Sequence, residues 1–148
     1  MALLELCEHG AKGIEDRFVR PEEDAPVPGE GAILVSLSRF ESEREALLAR
    51  TGELGVWLAS SESPKALAEV LDQLALVACD FPAFSDGRGF SYARLLRERY
   101  GYKGEVRAIG EVLLEQIPFM VRSGFNTFDI GDLKALSDFK AVCEEVRV

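Results

Sequence analysis

An α/β fold with a mainly parallel sheet is what this sequence predicts, on three observations. From Ala32 onward, short apolar runs alternate with runs of helical periodicity. Glycine, proline and serine stand at the joints between them. The strand candidates are short and largely apolar, as in a sheet covered on both faces. About five strand–helix units fit into residues 32–148, joined by right-handed crossovers, which suits a doubly wound sheet. The alternative is a partial TIM-barrel-like arrangement, since a closed eight-unit barrel typically takes ~250 residues.

Taken in order, residues 1–31 read as an N-terminal arm and linker, and 32–148 as a single α/β domain. The opening residues suggest a peripheral hairpin or tail, and 20–31 hold three of the six prolines, as an exposed linker would. Ala32–Leu37 is the first apolar strand candidate, with a helix from Glu41 to Arg50. Gly55–Ala59 is the second strand. Ser63 and Pro64 then offer an N-cap and a first-turn proline to a helix carrying Leu67, Val70, Leu71 and Leu74 on one face. Leu76–Cys79 is the third strand, closed by Asp80. A helix over Ser91–Tyr100 ends at Gly101. Glu105–Ile109 is the fourth strand, and Val112–Ser123 a helix ending at Gly124, with Pro118 marking a kink or a later start. Phe125–Ile130 is the fifth strand, before a last helix over Asp132–Val146.

Composition narrows the function. The chain carries 26 Asp+Glu against 17 Lys+Arg, a net charge of −9. That balance excludes broad nucleic-acid or anionic-membrane binding, which needs an extended basic face. No apolar run approaches the ~18 residues of a membrane span. The N-terminus lacks the basic flank of a secretory signal. Three widely spaced cysteines, Cys7, Cys79 and Cys143, make no disulfide framework, so the expected location is cytoplasmic. The sole histidine, His9, lies in the arm, away from the strand ends, which excludes a histidine triad or a zinc site there. The cofactor is unknown: no flavin, haem, iron–sulfur or convincing nicotinamide motif occurs.

Within this acidic chain, residues 85–107 hold six basic groups and three acidic ones. Ser85-Asp86-Gly87-Arg88-Gly89-Phe90-Ser91 leads into a helix there. Glycines let a backbone approach a ligand closely, and helix N-termini carry unsatisfied donors. Arg88 offers a bidentate fork to an oxyanion, and Ser91 an N-cap or hydroxyl donor. Asp86, Gly87, Arg88, Gly89, Ser91, Arg94 and Arg107 are therefore the anion-binding candidates. The plainer reading is a tight loop beside a helix whose arginines only meet solvent. Gly87-x-Gly89 imitates a dinucleotide fingerprint, but it lies too far beyond the strand at Cys79. Asp80 at a strand end and Glu111 after Gly110 are the carboxylates best placed for acid–base catalysis, with a turn role before Pro82 the plainer reading of Asp80.

The runs Gly55-Val-Trp-Leu-Ala, Asp80-Phe-Pro-Ala-Phe-Ser-Asp-Gly-Arg-Gly-Phe-Ser-Tyr-Ala-Arg, Gly104-Glu-Val-Arg-Ala-Ile-Gly-Glu and Arg122-Ser-Gly-Phe resemble the bacterial family called domain of unknown function 934. The likeness runs from about Ala32 to Phe139. Its signature falls on Asp80, Phe81, the 86–89 loop, Ser91, Arg94, Arg97, Gly104, Glu105, Arg107, Gly110, Gln116, Arg122, Gly124 and Phe125. Where the family usually has Cys-Gly-Phe-Asp, this chain has Ser123-Gly-Phe-Asn, so no thiol chemistry is expected at that point. Glu111 and Glu115 stand where aspartates are usual. Family members carry the label of oxidoreductases of sulfite reduction because they tend to be encoded beside the sulfite reductase haemoprotein.

The resemblance thus implies an accessory protein of assimilatory sulfite reduction, with that haemoprotein and a small oxyanion as partners. A homodimer is also entertained. The alternative is a small α/β enzyme acting on a phosphorylated or carboxylated metabolite, with Arg88 as clamp and Asp80 or Glu111 as acid–base. A purely structural interaction module is the third reading.

Overall fold

The computed structural model describes residues 3–7, 10–82 and 88–129. Its strands are β1 (Leu3–Cys7), β2 (Gly10–Ile14), β3 (Ile33–Ser36), β4 (Leu54–Leu58), β5 (Leu76–Phe81), β6 (Glu105–Gly110) and β7 (Thr127–Asp129). They form one sheet in the order β2-β1-β7-β6-β5-β4-β3. β3 to β7 are parallel, and the β1–β2 hairpin adds antiparallel strands on the β7 edge, with Leu3 opposite Asp129. The class, the parallel strands and the intervening helices are those expected of the sequence. The expected final helix lies outside the described residues.

Helix boundaries differ from the expected ones for local reasons. Ser36 Oγ accepts the Arg39 N–H at 3.2 Å, so α1 (Leu37–Ser42) starts directly from the strand, earlier than its apolar spacing indicates. Glu43 leaves helical geometry and separates α1 from α2 (Arg44–Leu48). Ser63 caps as expected, but the chain after it forms two 3₁₀ turns, Pro64–Leu67 and Leu71–Gln73, in place of one α-helix. Leu67, Val70, Leu71 and Leu74 are buried all the same. α3 (Arg88–Arg94) starts ahead of the expected Ser91 and continues as a π turn over Leu95–Arg99. Pro118 marks a helix start, with α4 (Ile117–Ser123) preceded by a 3₁₀ turn.

Side chains alternate along each strand between two clusters. Val56, Leu58, Val77, Cys79, Phe81, Val106, Ala108 and Phe128 meet the helices. Leu34, Leu76, Ala78 and Ile109 face the other way, onto Phe18, with Trp57 packed alongside. The arm supplies this second cover. Ile14 ends β2 on one edge of the sheet, and Val19 bridges Ile33 on the opposite edge. Five residues reach at most about 18 Å, whereas the outer members of seven strands laid flat stand roughly 29 Å apart. The sheet must therefore curl, with residues 15–19 crossing its concave side and the helices on its convex side. The order of β3 to β7, which follows the chain, together with this curl also matches the partial barrel-like alternative.

The proline-rich linker is pinned rather than loose. Prolines lack N–H groups, so its carbonyls depend on outside donors. The buried Arg39 guanidinium donates to the Glu22 and Ala25 carbonyls, and Arg50 to those of Pro28 (2.7 Å) and Gly31 (2.8 Å).

Candidate functional site

In curled parallel sheets the carboxyl ends of the strands form the functional rim, because the chain leaves each strand there in a loop free to vary. Ser60, just beyond β4, is the hub on this rim. Its hydroxyl accepts Arg88 Nη2 at 3.2 Å, and its carbonyl accepts the Tyr92 hydroxyl at 2.6 Å. Both donors come from α3. The helix is thus fastened by one face to the end of a neighbouring strand, and the Arg88 guanidinium is held at the rim.

Gly89 has a different task from the one its loop-like context suggests. It lies buried in the first turn of α3, and a Cβ there would stand 2.5 Å from the Phe81 ring. Its missing side chain makes room for an aromatic stack. Phe125 and Phe90 flank Phe81 at 5.7 and 5.2 Å, and Phe119 meets Phe90 edge-on at 4.9 Å. Ser91 is one turn inside the helix and exposed, so its expected N-cap role does not apply.

The carboxylate candidates share the rim. Asp80 is half-buried at the end of β5, and its neighbours Cys79 and Phe81 face the helices, so its side chain lies on the concave side. Gly110 ends β6 beside it with φ +85°, where a Cβ would meet Asp80 Oδ1 at 2.4 Å and the Phe81 carbonyl at 2.5 Å. Glu111 follows, exposed, its N–H donating to the Phe81 carbonyl at 2.6 Å. Gly110→Ala is therefore expected to destabilise the protein by about 1–3 kcal/mol, from positive φ and the clash with Asp80 together. Denaturant melts would check this, and an unchanged midpoint would show that the turn relaxes freely.

The anion candidates do not all converge. Asp86 and Gly87 lie outside the described residues. Arg94 is exposed with Ser91 on the outer face of α3. Arg107 is elsewhere altogether: on β6 between Val106 and Ala108, which face the helices, it points into the concave interior. There Nη2 meets Glu105 at 2.7 Å, Nη1 meets Asp16 at 3.1 Å, and Phe18 lies 5.6 Å from the guanidinium. The structure joins Arg88 to Ser60 and Asp80 to Gly110, and does not bring Arg107 to either. Tyr92, which no sequence signal singles out, is a second anchor on Ser60.

Arg97, another signature position, is a staple. It donates to the carbonyls of Gly124 (2.9 Å), Tyr102 (2.9 Å) and Gly104 (2.7 Å), and burial holds its guanidinium below its usual value. Burial also pushes the Cys79 thiol up to about 12. An unfolded cysteine loses its proton at lower pH, so this thiol stabilises the fold fully below its ordinary range, and that contribution disappears as pH rises toward 12. Alkylation of Cys79 by iodoacetamide at about pH 8, near the ordinary thiol range, is expected to track global unfolding. Mass spectrometry across a denaturant series would check this, and rapid labelling without denaturant would contradict it.

Among the described residues, no three His, Cys, Asp or Glu side chains are grouped to hold a metal ion. No described helix is long and apolar enough to cross a membrane. Compared with known families, residues 55–148 match the model described as bacterial protein of unknown function (DUF934). The match spans well over half of the chain, and the protein belongs to that family. A search of curated proteins found no match.

Proposed function

We propose that this DUF934 protein is an accessory protein of assimilatory sulfite reduction that binds a small oxyanion at the carboxyl rim of its sheet. The observation carrying this reading is the Arg88–Ser60 pair. A guanidinium held 3.2 Å from a serine hydroxyl at a strand end presents charge and directed donors together. Sulfite, sulfate and phosphate each present pairs of oxygens on one central atom, which such a fork can grip bidentately. The family resemblance supplies the pathway, and the family match includes both residues. The protein's role is to hold the anion and to dock on the reductase that carries the electrons.

Titration calorimetry with sulfite, sulfate and phosphate, alongside pull-down of a sulfite reductase haemoprotein, tests the reading. Saturable anion binding and capture of the haemoprotein are expected, and absence of both would end it. The enzymatic alternative draws on the position of Asp80, a half-buried carboxylate on the concave side of the rim. It expects turnover of a phosphorylated or carboxylated metabolite that is lost in Asp80→Asn.

A further inference from the structure

We propose that the outer face of α3 and its π turn, with the aromatic edge beside it, docks an acidic protein surface. Residues 88–99 carry four arginines against one glutamate in a chain of net charge −9. Arg97 is turned inward onto backbone carbonyls. Arg94 and Arg99 are exposed and form no ion pair among the described residues, where they line a shallow groove of about 460 Å³ with Ser91, Leu95 and Glu98.

The aromatic edge adjoins this groove. Phe90 is one helical turn from Arg94 on the same side of α3, and it meets Phe119 edge-on. Phe119 is 50% exposed, in a protein whose other described phenylalanines are largely covered. Arginine and aromatic side chains are the types enriched at protein interfaces and at their hot spots. A half-exposed phenylalanine packed on Phe90, one helical turn from Arg94, gives this face that composition, and the charge of the two exposed arginines selects an acidic partner.

Other occupants fit less well. Nucleic acid and anionic membranes extend well beyond a patch this size, and the remaining surface would repel them. A second copy meeting this face symmetrically would set arginine against arginine. The inference is independent of the oxyanion reading, because it uses Arg94, Arg99 and Phe119 and neither of the side chains that bond to Ser60.

The test uses fluorescence anisotropy with three labelled probes: a glutamate-rich peptide with a central leucine pair, its glutamine counterpart, and a single-stranded oligonucleotide of equal charge. The acidic peptide is expected to bind best, to weaken as salt rises, and to bind at least tenfold more weakly to Arg94→Glu/Arg99→Glu. Phe119→Ser should weaken it severalfold, with circular dichroism unchanged in each variant. Equal binding by the wild type and the charge-reversed protein would overturn the proposal. So would tighter binding of the oligonucleotide, or self-association of the wild type abolished by charge reversal in sedimentation velocity.

Discussion

Replacing Arg107 with alanine is expected to destabilise the fold by about 3–5 kcal/mol, the usual cost of breaking a buried ion pair from one side. Arg107 is only 1% exposed, and its guanidinium ties three parts of the chain together. Nε and Nη2 meet Glu105 Oε2, Nη1 meets Asp16 in the arm, and the same Glu105 oxygen accepts Thr127 Oγ1 at 2.9 Å from β7. Arg17 pairs with the other Glu105 oxygen at 3.5 Å, but it is half exposed and already held by Glu53 at 2.6 Å, so it offsets only part of the loss. Removing the guanidinium would leave Glu105 nearly buried without its main counter-charge, and would free the arm at Asp16. The double change Arg107→Met with Glu105→Gln removes both charges and should recover much of the loss. Urea denaturation of the three proteins decides the matter. A loss under about 1 kcal/mol for the alanine variant, the range of an exposed pair, would mean that water can replace the guanidinium there.

The second large effect falls on binding. Arg88→Ala is expected to lower oxyanion affinity by about 1.5–3 kcal/mol, the worth of a charge-assisted hydrogen bond, or roughly ten- to a hundredfold. The Ser60 hydroxyl alone would remain on that side of the site, without charge and without Arg88 to orient it. Folding should change little, because Tyr92 still fastens α3 to the Ser60 carbonyl and the Phe81 stack is untouched. This separation between affinity and stability distinguishes a ligand-binding arginine from a structural one such as Arg107.

β3, β4 and β5 are legible in the sequence because each is a short, largely apolar run, and β6 because Val106, Ala108 and Ile109 keep that pattern around Arg107. The opening residues suggest the β1–β2 hairpin but not its place in the sheet, since its pairing with β7 is made by backbone groups that carry no residue signature. The early start of α3 is hidden by Gly89, whose low helix propensity is overridden by the Phe81 ring packed upon it. Proximity in sequence groups Arg107 with Arg94, Arg97 and Arg99, and that grouping misleads. Period-two alternation between Val106 and Ala108 already places it on the other face of the sheet. Ser60 is readable as a rim position, but its bonds to Arg88 and Tyr92 depend on tertiary packing across 28 and 32 residues.

The most direct measurement is a calorimetric titration of sulfite into the wild-type protein and into Arg88→Ala, at equal ionic strength and with folding checked by circular dichroism. Saturable binding to the wild type, weakened at least tenfold in the variant, is the expected result. Equal affinity in both proteins, or no saturable heat from the wild type, would contradict an oxyanion site built on Arg88.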